Sequence, residues 1–522
     1  MFEGALERLC RFAIVVFVFA AALASGQESE LSHVERFTDP KVKLERAERD
    51  ATARLDSNPR DARAFLDRGV ARLSLGELKQ AVTDLREAAE LDPKSAEARA
   101  QLAYGLWLLG ALPEALVAAR AALALNPDNA SAHYYAGRIL LDTVGDPEQA
   151  LKHLQRAVEL NPDQIDLRFD LLNAYRRRGD LMRAGLELRL LRTALPPSDP
   201  RVPYAEGLLA ADLGQLATAT DRFRRALQAN PRFVPARYDL ARALVQTERW
   251  QEALQVAEPL ANEYPQSYTA AYLHALALQN SQRGAEAEKE ARRATVLEPK
   301  SADAYTLLGI TLASRGAHTD AVAALEIAIG LDPKSFDAQF YLGRARYALR
   351  DLARARDAFR TATSIKPEDI EARFFLATAL EGLGESDAAQ AQYRELIERH
   401  PQDPQGYIGL GNLQAKHGGN DAAMASLRRA HELDPKNFEA TLNLGRVLAR
   451  AGQLEPAIAL LRESAEMAPE SAEAHYQLGL ALRRGGHEQE AKKEFAIVER
   501  LNQQYRGGSG SMQPPLPPPG RN

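Results

Sequence analysis

Residues 300–333 read KSADAYTLLGITLASRGAHTDAVAALEIAIGLDP. The stretch divides into two short amphipathic helices about a tight turn at Arg315-Gly316-Ala317. In the first helix Tyr305, Leu308 and Leu312 recur at i, i+3 and i+7, so they share one face. Gly309 sits beside Leu308 on that face. A glycine inside a helix costs roughly 1 kcal/mol against alanine, so close helix–helix approach is the expected reason for it. In the second helix Ala321, Leu325 and Ala328 are spaced i, i+4 and i+7. Pro333 stops that helix, because proline lacks the N–H and clashes with the preceding turn.

The same unit recurs through the chain. Pro59, Pro93 and Pro127 are 34 apart, Pro162 follows after 35, Pro196 after 34 and Pro231 after 35. From there Pro265, Pro299, Pro333, Pro367, Pro401, Pro435 and Pro469 keep 34 throughout. Counting each unit up to its proline, with a last unit ending near Gln503, gives 13 repeats over 60–503. Gly69, Gly137, Gly207, Gly309, Gly343, Gly411, Gly445 and Gly479 occupy a small site in the first helix, and Ala103, Ala241, Ala275 and Ala377 fill it elsewhere. The second helix carries an alanine at one register in every repeat, from Ala81 to Ala491. Leu172 is the one departure at these two sites.

This pattern resembles the tetratricopeptide repeat, W-x2-L-G-x2-Y…A-x3-F…A…P, a helix–turn–helix unit of about 34 residues. Tyr305 stands at the Trp position and Leu312 at the Tyr position. The resemblance implies an all-α fold: a right-handed superhelical α-solenoid of about 13 tandem helix-turn-helix repeats. It also implies a concave groove lined by the first helices, with the fifth and ninth repeat positions facing it. At the fifth stand, among others, Tyr134, Phe169, Tyr204, Tyr238, Tyr272, Phe340 and Phe374. At the ninth stand Arg138, Asn173, Arg242, Arg344, Asn412 and Arg446 among apolar residues. Sites four apart are neighbours on a helix, so Tyr134 pairs with Arg138, Phe169 with Asn173, Tyr238 with Arg242 and Phe340 with Arg344.

Two readings of these residues stand side by side. In one they form a groove for proteins or extended peptides: rings give contact area, Asn bonds an extended backbone, and Arg takes a carboxylate. In the other the rings pack between adjacent helices and each Arg over a ring is an internal cation–π pair. The functional expectation is a non-enzymatic protein-interaction scaffold; the alternative is a structural subunit of a cell-envelope assembly such as polysaccharide export machinery. Protein or peptide partners are expected, without nucleic acid, small-molecule substrate, metal or cofactor. A net charge of −5 supplies no basic excess for phosphates. No H-E-x-x-H, Walker loop or EF-hand pattern occurs, and the ten histidines are scattered. Gly409-Leu410-Gly411 opens like a dinucleotide loop, but Gln414 replaces the third glycine inside a helix.

The ends differ from the array. Residues 12–24 are 13 consecutive apolar residues closed by Ala22-Leu23-Ala24. A membrane span needs about 20 such residues, so 1–26 reads as a signal peptide and the chain as exported, periplasmic or extracellular. The alternative is an uncleaved inner-membrane anchor, the one case in which a membrane is a partner. Cys10, the single cysteine, precedes this run. Residues 27–59 form a polar segment and a capping helix over Lys41–Ser57, with Ala47, Ala51 and Leu55 in the register of a second helix. The extra residue of repeat three falls at 142–147, where Asp146 is the expected N-cap ahead of Pro147. Leu195–Pro203, with four prolines, is the expected break between repeats one to four, 60–196, and repeats five to thirteen, 199–503. Residues 504–522 form a Gly/Ser/Pro-rich tail, expected to be disordered, with Pro514-Pro515-Leu516-Pro517 as a possible docking segment.

Overall fold

A computed structural model describes residues 41–142 and 147–507, which form 27 helices and no strands. The signal-peptide run with Cys10, the turn residue Asp146 and the Pro-rich tail lie outside the described residues. The fold is all-α, a solenoid of helix-turn-helix repeats, as the proline spacing implies. By compactness the described chain forms two units, 41–277 and 278–507. Each repeat yields two helices, from Ala62–Leu75 and Leu78–Leu91 in the first to Ala472–Arg484 and Glu488–Gly507 in the last.

Caps and turns explain the punctuation. In most repeats Ser, Asp or Asn stands two residues after the closing proline and its side chain accepts a backbone N–H of the first turn; Gln164 and Phe233 stand there without a side-chain cap. Asp61 takes Ala64 at 2.9 Å, Ser301 takes Ala304 at 3.1 Å and Asn437 takes Ala440 at 3.0 Å. So the proline ends one helix and the cap begins the next. Between the two helices of a repeat one residue is left-handed, and it is usually Gly, as at Gly316 with φ 80°. Glu248, Gln282 and Arg350 hold the same conformation without glycine.

The small site has a specific occupant opposite it. A Cβ added to Gly207 would lie 2.5 Å from the Phe223 ring, and one added to Gly69 or Gly137 2.7 Å from Leu85 or Leu154. Each large residue comes from the second helix of the same repeat and is fully buried. Where the first helix has Ala instead, as at Ala103 and Ala241, the opposing position carries Ala119 and Ala257. Ala377 faces Tyr393, and there the next repeat supplies Gly409 to receive the ring. Repeat four breaks the rule: Leu172 fills the small site itself and is fully buried. Its opposing residue, Leu188, is only partly buried, and the second helix there, Leu181–Ala194, buries just Ala184 and Leu191.

The break segment lies inside the first unit. Leu181–Ala194 ends before Leu195, and the next helix, Arg201–Asp212, holds Pro203 in its first turn. A proline is tolerated there because that N–H has no helical partner in any case. Helix Lys41–Ser57 caps the first repeat: Ala51 and Leu55 are buried, Arg72 Nε donates to Glu48 at 2.8 Å, and Arg54 Nη1 to Asp67 at 2.8 Å. Ala47 is exposed, unlike Ala81 in the same register. Ala81 packs against the first helix of its own repeat, whereas no described helix precedes Lys41.

In both units first helices touch the first helix of the next repeat, while second helices reach the next first helix. No pair of successive second helices is in comparable contact among the described residues. First helices therefore line the closer, inner side of each unit.

Candidate protein-interaction face

The fifth-position rings stand in the seams between repeats. Tyr134, Tyr204, Tyr238 and Tyr272 in the first unit are 5–8% exposed, and Phe340 in the second is 4% exposed. Phe169 and Phe374 are partly buried. The hydroxyls are committed to the following repeat. Tyr134 donates to Asp170 Oδ2 at 2.5 Å, Tyr204 to Asp239 Oδ2 at 2.7 Å and Tyr238 to Ser267 Oγ at 3.0 Å. Phe169 stacks on Tyr204 with centroids 6.0 Å apart. Most of each ring is thus inside, and what the aromatic row offers to solvent is its rim.

The six polar ninth-position side chains are all partly buried. Arg138 Nη1 donates to Asp170 Oδ1 at 2.7 Å while its guanidinium lies 5.1 Å from the Trp107 ring. Asn173 Oδ1 accepts from Arg176 at 3.1 Å. Arg242 meets Asp239 at 3.2 Å. In the second unit Arg344 lies 5.5–5.8 Å from the Phe340, Tyr341 and Phe375 rings. Asn412 donates to Glu439 at 3.2 Å, and Arg446 lies 3.8 Å from Glu473. So the structure pairs ring with cation at Phe340–Arg344. At Tyr134–Arg138 it joins both to one carboxylate.

Sequence reasoning missed the acids. Asp170 and Asp239 each follow a fifth position by one residue. In the second unit the second residue of the first helix is acidic in repeats eight, nine, ten, twelve and thirteen: Asp303, Asp337, Glu371, Glu439 and Glu473. The same 34-residue register that found the rings would have found them. Burial raises four of these carboxyls. It pushes Asp337 up to about 6 against the pull of Lys366, and raises Asp303, with Asp332 adding to it. Glu371 is raised by burial against Arg344, and Glu439 by burial against the Asn412 hydrogen bond.

A third recurring device is internal. In some repeats the fourth position, the Trp site of the pattern, sends a polar group back to the carbonyl of the closing proline. His133 meets Pro127 O at 2.9 Å, Arg168 Pro162 O at 3.0 Å, Arg373 Pro367 O at 2.9 Å and His475 Pro469 O at 3.1 Å. It stitches one repeat to the end of the last and leaves the inner face to the other positions.

Family models described as tetratricopeptide repeat match residues 43–96, 100–164, 141–200, 272–335 and 318–370, and also 210–279, 347–416 and 414–478. The chain belongs to the tetratricopeptide repeat family. Comparison with curated protein sequences gives no match. Solved structures that it matches include an APC/C hetero-tetramer, Cut9-Hcn1, at 15% identity and TM-score 0.44, covering 85% of this chain and 96% of that one. Yeast Tom70 matches at 15% identity and TM-score 0.39, covering 85% and 91%. YrrB, described as a TPR protein with an unusual peptide-binding site, matches at 22% identity and TM-score 0.30, covering 35% and 95%. In this tetratricopeptide repeat chain the candidate face is a set of polar heads on the inner side of each unit, standing among buried or partly buried rings and, at Asn412 and Arg446, beside buried Ile408 and Leu442.

Proposed function

We propose that this chain is a non-enzymatic scaffold that binds proteins or extended peptides along the inner side of its first helices, and that it works after export, outside the cytoplasm. The observation that carries the reading is the ninth-position row. Arg242 in one unit and Asn412 in the other are only partly buried and held by single carboxylates at 3.2 Å. Groups held this way can exchange an internal partner for one on an extended chain with little rearrangement, since the scaffold beneath them is fixed by buried side chains, Tyr238 under one and Ile408 under the other. Export rests on the 13-residue apolar run at 12–24 and its Ala22-Leu23-Ala24 ending.

The test begins with proximity labelling in the native cell, with the compartment recorded. Calorimetric titration then follows the labelled partner against the full mature chain and its Asn412→Ala variant. Saturable binding that weakens in the variant supports the reading; an interaction indifferent to Asn412 and to every other ninth position overturns it.

A further inference from the structure

The second helix of repeat four, Leu181–Ala194, differs from its neighbours on its outward face. Met182, Leu186 and Leu190 are spaced i, i+4 and i+8 and are 82%, 51% and 45% exposed. The same three positions hold Glu148, Lys152 and Arg156 in repeat three, and Ala217, Asp221 and Arg225 in repeat five. The stripe runs about 12 Å along the helix, and at about 100° per residue it spans about 80° of the helix circumference. Arg189 falls about 20° beyond one edge and Arg183 about 20° beyond the other. Glu187, the acid of this helix, is turned away: its carboxylate takes Arg168 at 3.3 Å and its side chain is 15% exposed. Arg183 at one edge is paired with Asp180 at 3.5 Å, and Arg178 and Arg192 nearby are paired with Glu148 and Glu206. Arg189 has no ion-pair or hydrogen-bond partner among the described residues.

Gly185 gives an independent indication. It sits in the middle of this helix beside Met182 and Arg189, where glycine weakens a helix. A Cβ there would meet nothing within 4 Å, so no packing among the described residues requires the glycine. A bare backbone beside an apolar stripe suits the close approach of another helix. The unpaired Arg189 along one edge specifies its charge and disfavours a second copy, which would bring arginine against arginine.

We propose that this outer face seats an amphipathic helix of a partner protein, one whose apolar stripe is flanked by acidic residues. The surface is separate from the inner side and would let one scaffold hold two partners. The probes are two designed helical peptides of about 18 residues with one leucine stripe, flanked by glutamates in one and lysines in the other. The full mature chain should bind the glutamate peptide saturably and at least about tenfold tighter than the lysine peptide. Leu186→Ser should weaken the glutamate peptide about tenfold or more. Arg189→Glu, which leaves the apolar stripe whole, should weaken the glutamate peptide and not the lysine one. Absence of binding, equal binding of the two peptides, or binding unchanged in both variants overturns the proposal. So does self-association of the chain that Leu186→Ser abolishes, or stronger pelleting with phosphatidylglycerol vesicles than binding to the peptide. Those results would assign the stripe to a second copy or a lipid surface.

Discussion

The Tyr204 hydroxyl donates to Asp239 across the junction of repeats five and six, at 2.7 Å, and Arg242 reaches the other oxygen of that carboxylate at 3.2 Å. One acid thus ties a buried ring to a partly buried cation. The two should respond differently to mutation. Tyr204→Phe removes a hydrogen bond to a charged group and should cost about 1.5–3 kcal/mol. Tyr204→Ala also removes a ring that is 8% exposed, and should cost on the order of 3–5 kcal/mol. Urea unfolding followed by circular dichroism separates the two. A Tyr204→Ala chain as stable as the parent would show that the ring does not hold the seam.

Gly207 and Phe223 make the packing rule testable. Gly207→Ala puts a Cβ 2.5 Å from the ring, and should lower stability by roughly 1–3 kcal/mol through overpacking. Gly185→Ala, where nothing lies within 4 Å, should instead raise stability by about 0.5–1 kcal/mol. Thermal melts of both, read together, decide whether the small site exists for the opposing side chain.

Much of this architecture was legible in the sequence, and the reasons are local. A proline every 34 or 35 residues fixes where helices end, and small residues at fixed registers fix where helices meet. The fate of the rings was not legible. A fifth-position side chain can point to solvent or into the next repeat, and the choice depends on the spacing of successive first helices. Tyr134 and Tyr204 find their acids 36 and 35 residues further on, a separation no single-helix periodicity reports. Ala47 lies in the register of a second helix, but that register alone does not report burial: Ala47 is exposed where Ala51 and Leu55 are buried.

Asp337 gives the inner side a pH signature. Its folded-state carboxyl is raised to about 6, first by burial. Below about pH 3 both states are protonated and the group is neutral to stability. As pH rises towards 6 the unfolded state loses its proton first, so stability falls and then levels off. At neutral pH the penalty is at most about 3 kcal/mol at about 1.4 per pKa unit. Asp337→Asn should therefore stabilise the chain more at about pH 7.5 than at about pH 4.5. Equal gains at both values would remove burial as the cause.

Export predicts a processed chain. Intact-mass measurement of protein from the native host should place the mature amino terminus between Ser25 and Ser29. Retention of Met1 in a membrane pellet would rule out cleavage and leave the anchor.

The central claim is that polar heads on the inner side, rather than the buried rings, carry recognition. Arg242 tests it most directly, being 24% exposed at its side chain and replaceable without opening a core cavity. The measurement is the calorimetric affinity of the natively labelled partner for the full mature chain and for Arg242→Ala, with melting curves of both. The account predicts binding about tenfold weaker or more, with the melting temperature lowered by no more than about 2 °C. Unchanged affinity per folded molecule, with or without a lowered melting temperature, would contradict it.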